Sequence, residues 1–198
     1  MIPALAHHFR HIAISLFLLV ALGACSNQQT AIEVNPVLPE TELYKQAMDK
    51  LAADNFIAAI DDLETIEARY PYGRYSDQVQ LEMIYAYYRS NQALAAKEAA
   101  ARFIRLNPDH EHVDYAYYLK GLTSFEENKG ALDNYLTSDK AKKDPGAMRE
   151  SFNDFNTLVQ QFPQSQYAAD AKARMVYLRN LLAEHEIHVA NYYMSRSA

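Results

Sequence analysis

From Glu40 onward, the apolar side chains recur every three or four residues, which is the spacing of one face of an α-helix. The pattern is clearest between Asp54 and Pro71, where the apolar positions are Phe56, Ile57, Ile60, Leu63 and Ile66. No stretch alternates between apolar and polar residues for long enough to predict a β-strand. The pattern therefore predicts an all-α fold.

The predicted helices end at three related sequences, which are Arg69-Tyr70-Pro71, Leu106-Asn107-Pro108 and Gln161-Phe162-Pro163. The first two prolines are 37 residues apart, close to the 34-residue helix-turn-helix unit of tetratricopeptide arrays. A third unit is split, with about 18 residues inserted near 129–144 relative to that length. We therefore expect a right-handed tetratricopeptide solenoid of antiparallel helix pairs over residues 40–198. An ordinary helical bundle with prolines at this spacing is the alternative.

Serines stand where two helices should begin. Ser76 is predicted to cap a helix over 77–88, and Ser165 is predicted to cap a last helix over 166–196. This last stretch is either one long helix or two with a bend near 183–185. Residues 190–196 resemble residues 85–91, the end of a first helix and its turn. We therefore expect a fourth repeat that is incomplete and a sequence that is a fragment, and cover of that end by another subunit is the alternative.

The N-terminus has the pattern of an export signal. Residues 12–22 are an apolar run of eleven, broken only by Ser15, which is too short to span a membrane but typical of a signal peptide. The run ends at Leu22-Gly23-Ala24-Cys25, which resembles a bacterial lipobox. The lipobox implies a signal peptide over 1–24 and acylation of Cys25, and Ser26 in place of Asp implies the outer membrane. An ordinary signal peptide with an incidental cysteine is the alternative.

Residues 25–39 are polar, contain Pro36 and Pro39, and show no sustained periodicity. They predict a flexible tether between the lipid anchor and the helices.

Composition and charge argue against several kinds of site and partner. One cysteine cannot form an internal disulfide, and no Cys/His spacing indicates structural zinc. The net charge of −6 without a Lys/Arg-dense stripe argues against a nucleic-acid partner. The chain has 15 tyrosines, 8 phenylalanines and no tryptophan, so tyrosine is its most frequent aromatic residue.

Three longer strings, at residues 69–76, 78–88 and 102–108, resemble the BamD (ComL) family. The resemblance implies a non-enzymatic scaffold lipoprotein of the β-barrel assembly machinery, which helps to insert β-barrel proteins into the outer membrane. Its implied partners are the barrel subunit, other lipoproteins of the machinery and unfolded outer-membrane proteins. Another periplasmic repeat lipoprotein, acting as an adaptor in pilus assembly or on peptidoglycan, is the alternative.

In tetratricopeptide arrays the first helix of each pair lines a groove, and tyrosines there would offer broad contact and a hydroxyl to a bound peptide. Packing between helices is the alternative for each residue. We expect Arg89 to bind a carboxylate, and the resemblance supplies a ligand, the aromatic-ended C-terminal segment of an outer-membrane protein. The predicted groove residues are Tyr44, Met48, Tyr85, Tyr88, Arg89, Tyr115, Tyr118, Leu122 and Phe125.

Enzyme motifs are weak in this sequence. His185 and His188 lie three residues apart, without the spacing of a zinc protease, and His110 and His112 stand at a predicted helix start. No nucleophile motif or phosphate-binding glycine loop occurs. We expect no catalytic activity, cofactor or metal, and a metal hydrolase using His185 and His188 is the rival hypothesis.

Overall fold

The computed structural model describes residues 38–127 and 145–197. Within these residues the fold is helical throughout and contains no β-strand, which confirms the all-α prediction. The helices belong to one compact unit, Pro39–Ala198. The predicted signal peptide, Cys25, residues 26–37 of the predicted tether and the predicted insertion near 129–144 lie outside the described residues.

The helices, numbered in chain order, are α1 (Glu40–Ala52), α2 (Phe56–Arg69), α3 (Ser76–Arg89), α4 (Ala93–Leu106), α5 (Val113–Glu127), α6 (Pro145–Gln161) and α7 (Ala168–Ser197). Each packs against the next along the chain, and α3 also packs against α5. Packing of each helix on the next, together with contact between the first helices of successive pairs, is typical of a tetratricopeptide-like solenoid, in which helix pairs stack one on another. The predicted fold class is therefore confirmed.

The 37-residue period is visible in the backbone. Helices α2 and α4 each have 14 residues, and α4 begins 37 residues after α2. The turns before them both contain a residue with positive φ, Asp54 at 55° and Asn91 at 58°. Asp and Asn tolerate this left-handed conformation better than most residues. The first two units thus share helix length and turn geometry as well as proline spacing.

The two helices of the third unit, α5 and α6, are separated in sequence but pack against each other. In α5, a side chain at Gly121 would place its Cβ 2.7 Å from two ring carbons of Phe155 in α6. The buried Ser151 hydroxyl of α6 donates a hydrogen bond to the Gly121 carbonyl at 3.0 Å. The two helices approach closely because Gly121 has no side chain, so they pair although residues 128–144 separate them.

The predicted capping by Ser76 is wrong. Ser76 is the first residue of α3 and not the residue before it. The residue before it, Tyr75, makes no capping hydrogen bond through its side chain. The Glu40 carboxylate of α1 instead accepts hydrogen bonds from the backbone N–H groups of Arg74 and Tyr75, at 3.1 and 2.8 Å. A side chain on Gly73 would collide with this carboxylate.

Ser165 lies before α7, which begins at Ala168 and runs as one continuous helix of 30 residues. Its hydroxyl oxygen accepts a hydrogen bond from the backbone N–H of Tyr167 at 3.1 Å. The same hydroxyl donates to the Asp114 carboxylate at 2.6 Å. Ser165 therefore shapes the turn before α7 and ties it to the start of α5.

These contacts repeat with the chain period. Glu40, Asp77 and Asp114 stand 37 residues apart, each at the start of the first helix of a pair. Asp77 Oδ2 lies 4.0 Å from His110 Nε2 in the loop that closes the second pair. In all three units an acidic residue thus faces the loop that follows the second helix. We call this contact the loop tie.

We predict that Glu40→Ala destabilises the protein by about 1 kcal/mol, the usual cost of losing a side-chain cap. The reason is that two backbone donors lose their acceptor. Urea denaturation checks this. Glu42→Ala is the matched control, because Glu42 is exposed in the same helical turn. Equal losses in the two variants would contradict the prediction.

Candidate functional site

Two tyrosine stacks occupy equivalent places in the first and third units. Tyr44 of α1 stacks on Tyr75, with ring centroids 4.2 Å apart and planes within 4°. Tyr118 of α5 stacks on Tyr167, with centroids 4.6 Å apart and planes 16° apart. Tyr118 follows Tyr44 by two periods of 37 residues. Each stack joins a first helix to the loop that closes its own pair.

Further tyrosines lie on α3 and beside the second stack. The Tyr115 ring lies 5.4 Å from that of Tyr167, and burial is the main reason that the pKa of Tyr115 is raised well above its usual value. Tyr85 and Tyr88 on α3 are half-buried, as are the stacked rings. We call this set the tyrosine surface, which consists of Tyr44, Tyr75, Tyr85, Tyr88, Tyr115, Tyr118 and Tyr167.

A carboxylate belongs to the same surface. Glu82 of α3 is half-buried and accepts a hydrogen bond from Gln78 Nε2 at 2.7 Å. Burial raises the pKa of Glu82, opposed by this hydrogen bond. Burial is the largest cause of the raised pKa of Tyr44 and of Tyr115, and the negative charge of the Glu82 carboxylate is the second largest. Glu82 also stands three residues before Tyr85 on α3, so the two side chains share one face of that helix.

Arg89 is exposed but already has partners. Its guanidinium donates to the Tyr85 hydroxyl at 2.5 Å and to the Asp54 carboxylate at 3.1 Å. It also lies 4.5 Å from the centroid of the Phe56 ring, within the range of a cation–π contact. The structure thus brings Arg89 and Tyr85 together and adds Phe56 and Asp54.

The nine predicted groove residues do not share one environment. Tyr44, Tyr85, Tyr88, Tyr115 and Tyr118 belong to the tyrosine surface, and Met48 is half-buried on the helix of Tyr44.

Leu122 and Phe125 are core residues, each only 6% exposed. The Phe125 ring packs against Phe155 of α6 and Tyr177 of α7, with centroids 6.4 and 5.8 Å away. We correct the prediction for these two residues, because α6 and α7 cover that end of α5.

Sequence reasoning missed Tyr75 and Tyr167, although a signal was present. Both stand four residues after the proline that ends a second helix, Pro71 or Pro163. In the second unit the same position is His112, so the aromatic pattern is broken there. Glu82 was also missed, because a single glutamate on a helix carries no motif.

Metal binding gains no support from the part of the chain that the structure describes. No group of three or more His, Cys, Asp or Glu residues is arranged there to hold a metal ion. His110 lies against Phe103, with ring centroids 5.2 Å apart. His188 is exposed on α7.

We predict that the free energy of unfolding falls between about pH 10 and about pH 12, and that Tyr118 contributes to this fall. Burial, and a 2.8 Å hydrogen bond to Asp170, raise the pKa of Tyr118 from 10.0 to about 12. The folded protein therefore keeps this proton at a pH where the unfolded chain loses it. The resulting stability is complete below about pH 10 and is lost as the pH rises through about 12.

Urea denaturation at about pH 9 and about pH 11 checks this dependence. Tyr118→Phe, which keeps the ring but removes the titrating hydroxyl, should lose less stability between the two values than the unchanged protein. Tyr72→Phe is the control, because Tyr72 is 98% exposed. A loss as steep in Tyr118→Phe as in the unchanged protein would contradict the prediction.

Comparison with known proteins identifies the family. Residues 36–198 match the family model of the YfiO outer membrane lipoproteins. The chain is 37% identical over 180 residues to the outer membrane protein assembly factor BamD of Vibrio cholerae, covering 91% of this chain and 75% of that protein. It is 41% identical over 192 residues to the protein of the same name from Neisseria gonorrhoeae, covering 96% of this chain and 72% of the relative.

The BamD of Neisseria meningitidis serogroup B is 40% identical over 192 residues, with the same coverage of both chains. Among the helices that the structure describes, none has the length and apolar character of a membrane span.

These sequence matches show that the chain belongs to the YfiO family of outer membrane lipoproteins, together with the assembly factors named BamD.

Proposed function

We propose that this protein is an assembly factor for outer-membrane proteins, acting as a scaffold lipoprotein of the β-barrel assembly machinery. The observation that carries this proposal is identity of 37–41% to three assembly factors named BamD over at least 91% of the chain. The relatives reported above share this name, so we do not propose the pilus or peptidoglycan adaptor. The barrel subunit and other lipoproteins of the machinery are its proposed partners.

The anchor in this proposal is Cys25. It follows a short apolar run and two small residues, Gly23 and Ala24, as in a lipobox. Acyl chains on Cys25 would hold the protein at the periplasmic face of the outer membrane, because two or more chains anchor stably where one does not. Residues 25–39 would then serve as the tether.

We predict that Cys25→Ser abolishes incorporation of radiolabelled palmitate and releases the protein from the outer-membrane fraction. Ser26→Ala is the control, since it changes the neighbouring residue and keeps the thiol. Labelling of the Cys25→Ser protein would contradict the assignment of the anchor.

The working surface in this proposal is the tyrosine surface. Half-buried tyrosines present rings and hydroxyls without losing much rotamer freedom on binding. Their hydroxyls can bond the backbone of an extended chain, and their rings can contact its aromatic side chains. We propose that the ligand is the C-terminal segment of an unfolded outer-membrane protein that ends in an aromatic residue. A scaffold of this kind needs no catalytic group.

Arg89 is the proposed partner of the terminal carboxylate of that segment. It would exchange the carboxylate of Asp54, whose side chain is 72% exposed, for that of the peptide. A guanidinium suits this exchange because it binds carboxylates in a fixed planar geometry.

We predict that Tyr44→Ala and Tyr118→Ala each weaken binding of a labelled, aromatic-ended C-terminal peptide about tenfold, as expected for tyrosine anchors. Fluorescence anisotropy with the purified full chain measures this, and circular dichroism confirms folding. Tyr72→Ala is the control, because Tyr72 is exposed and outside the tyrosine surface. Unchanged affinity in both Tyr44→Ala and Tyr118→Ala would remove the tyrosine surface as the binding site.

A further inference from the structure

Glu82 is a half-buried carboxylate that has no basic partner among the described residues, unlike Asp62 and Asp154, and no backbone N–H donor, unlike Glu40 and Asp114. Asp62 pairs with Lys50 at 2.5 Å, and Asp154 pairs with Lys120 at 2.6 Å. Across residues 38–127 and 145–197, no Lys, Arg or His forms an ion pair with Glu82, and its hydrogen-bond donor is the neutral Gln78. A half-buried negative charge is thus left without compensation.

The arginines near the tyrosine surface have other partners. Arg74 lies over the Tyr75 ring, 5.8 Å from its centroid. Arg89 is bound to Asp54, and Arg174 is bound to Asp170 at 2.5 Å. None of these three guanidinium groups therefore pairs with Glu82.

Removing a carboxylate from water without a counter-charge costs free energy. The surroundings of Glu82 show what kind of group could recover that cost. Glu82 shares one face of α3 with Tyr85, which lies three residues further on. Its negative charge is also the largest cause after burial of the raised pKa of Tyr44 of α1 and of Tyr115 of α5. These phenols are neutral near pH 7 and cannot compensate the charge, but aromatic rings beside a carboxylate form a favourable site for a cation.

We propose that Glu82 is a specificity-determining residue of the tyrosine surface and binds a lysine or arginine side chain of the polypeptide held there. This inference rests on the proposed function, in which that surface binds an extended chain. The rings would pack against the alkyl stem of the basic side chain, and the carboxylate would pair with its charged end. A metal ion is a poorer occupant, since Glu82 belongs to no group of three metal-ligating side chains within the described ranges.

The test uses two sets of aromatic-ended peptides that differ at one position. One set carries a lysine that is moved along an otherwise neutral sequence, and the other carries norleucine, which has a similar stem without the charge. Anisotropy measures their affinities for the unchanged full chain, for Glu82→Gln and for Glu98→Gln. Glu98 is an exposed glutamate of α4 and serves as the control.

At one lysine position or more, we expect the unchanged protein to prefer lysine over norleucine about fivefold, which corresponds to about 1 kcal/mol for a partly exposed ion pair. The preference should disappear in Glu82→Gln and persist in Glu98→Gln. Glu82→Lys should instead prefer a peptide with glutamate at that position.

Two outcomes would overturn this inference. If the unchanged protein shows no preference for lysine, or if the preference survives in Glu82→Gln, Glu82 does not bind a basic side chain. If binding still depends on Tyr44 in that case, the proposed function stands and only the role of Glu82 fails. If none of the peptides binds, the tyrosine surface itself is wrong as a peptide site.

Discussion

The Glu40 carboxylate accepts hydrogen bonds from the backbone N–H groups of Arg74 and Tyr75. The candidate site depends on these two bonds. They fix the loop after α2 against the first turn of α1, and that loop carries the Tyr75 ring onto Tyr44. The equivalent bond from Ser165 to Asp114 fixes the loop that carries Tyr167 onto Tyr118. In the first and third helix pairs, a polar contact at the end of the pair thus positions a tyrosine stack on the surface of that pair.

This arrangement explains which features the sequence predicts and which it does not. Helix positions and the repeat follow from local apolar spacing and from the prolines, since both are properties of short stretches of chain. The loop tie joins residues 33 or more positions apart, as Asp77 and His110 show. Local capping rules therefore pointed to Ser76, whereas the acceptor comes from a different helix.

The correction on α5 has a related cause. Helical spacing places Leu122 and Phe125 on the same side of α5 as Tyr118, so the sequence predicts a common surface. Whether that side is open depends on what packs over it. Phe155 and Tyr177, from α6 and α7, cover Phe125, and such cover cannot be inferred from the period of one helix.

The charged groups around the tyrosine surface differ in whether they have a partner of opposite charge. Arg89 and Arg174 are neutralised by Asp54 and Asp170, whereas Glu82 is left without a cation in the described structure. An incoming chain would therefore meet aromatic rings and one uncompensated negative charge. An extended polypeptide is the ligand that we propose for such a surface, in keeping with the proposed role in outer-membrane protein assembly.

The central claim is that the tyrosine surface contacts unfolded outer-membrane proteins, and site-specific photo-crosslinking in living cells tests it most directly. A photo-reactive phenylalanine analogue placed at Tyr44 or at Tyr118 should form adducts with newly made outer-membrane proteins. The same analogue at Tyr72, which is 98% exposed but outside the tyrosine surface, should form few. Adducts of equal yield at all three positions, or none at Tyr44 and Tyr118, would contradict the claim.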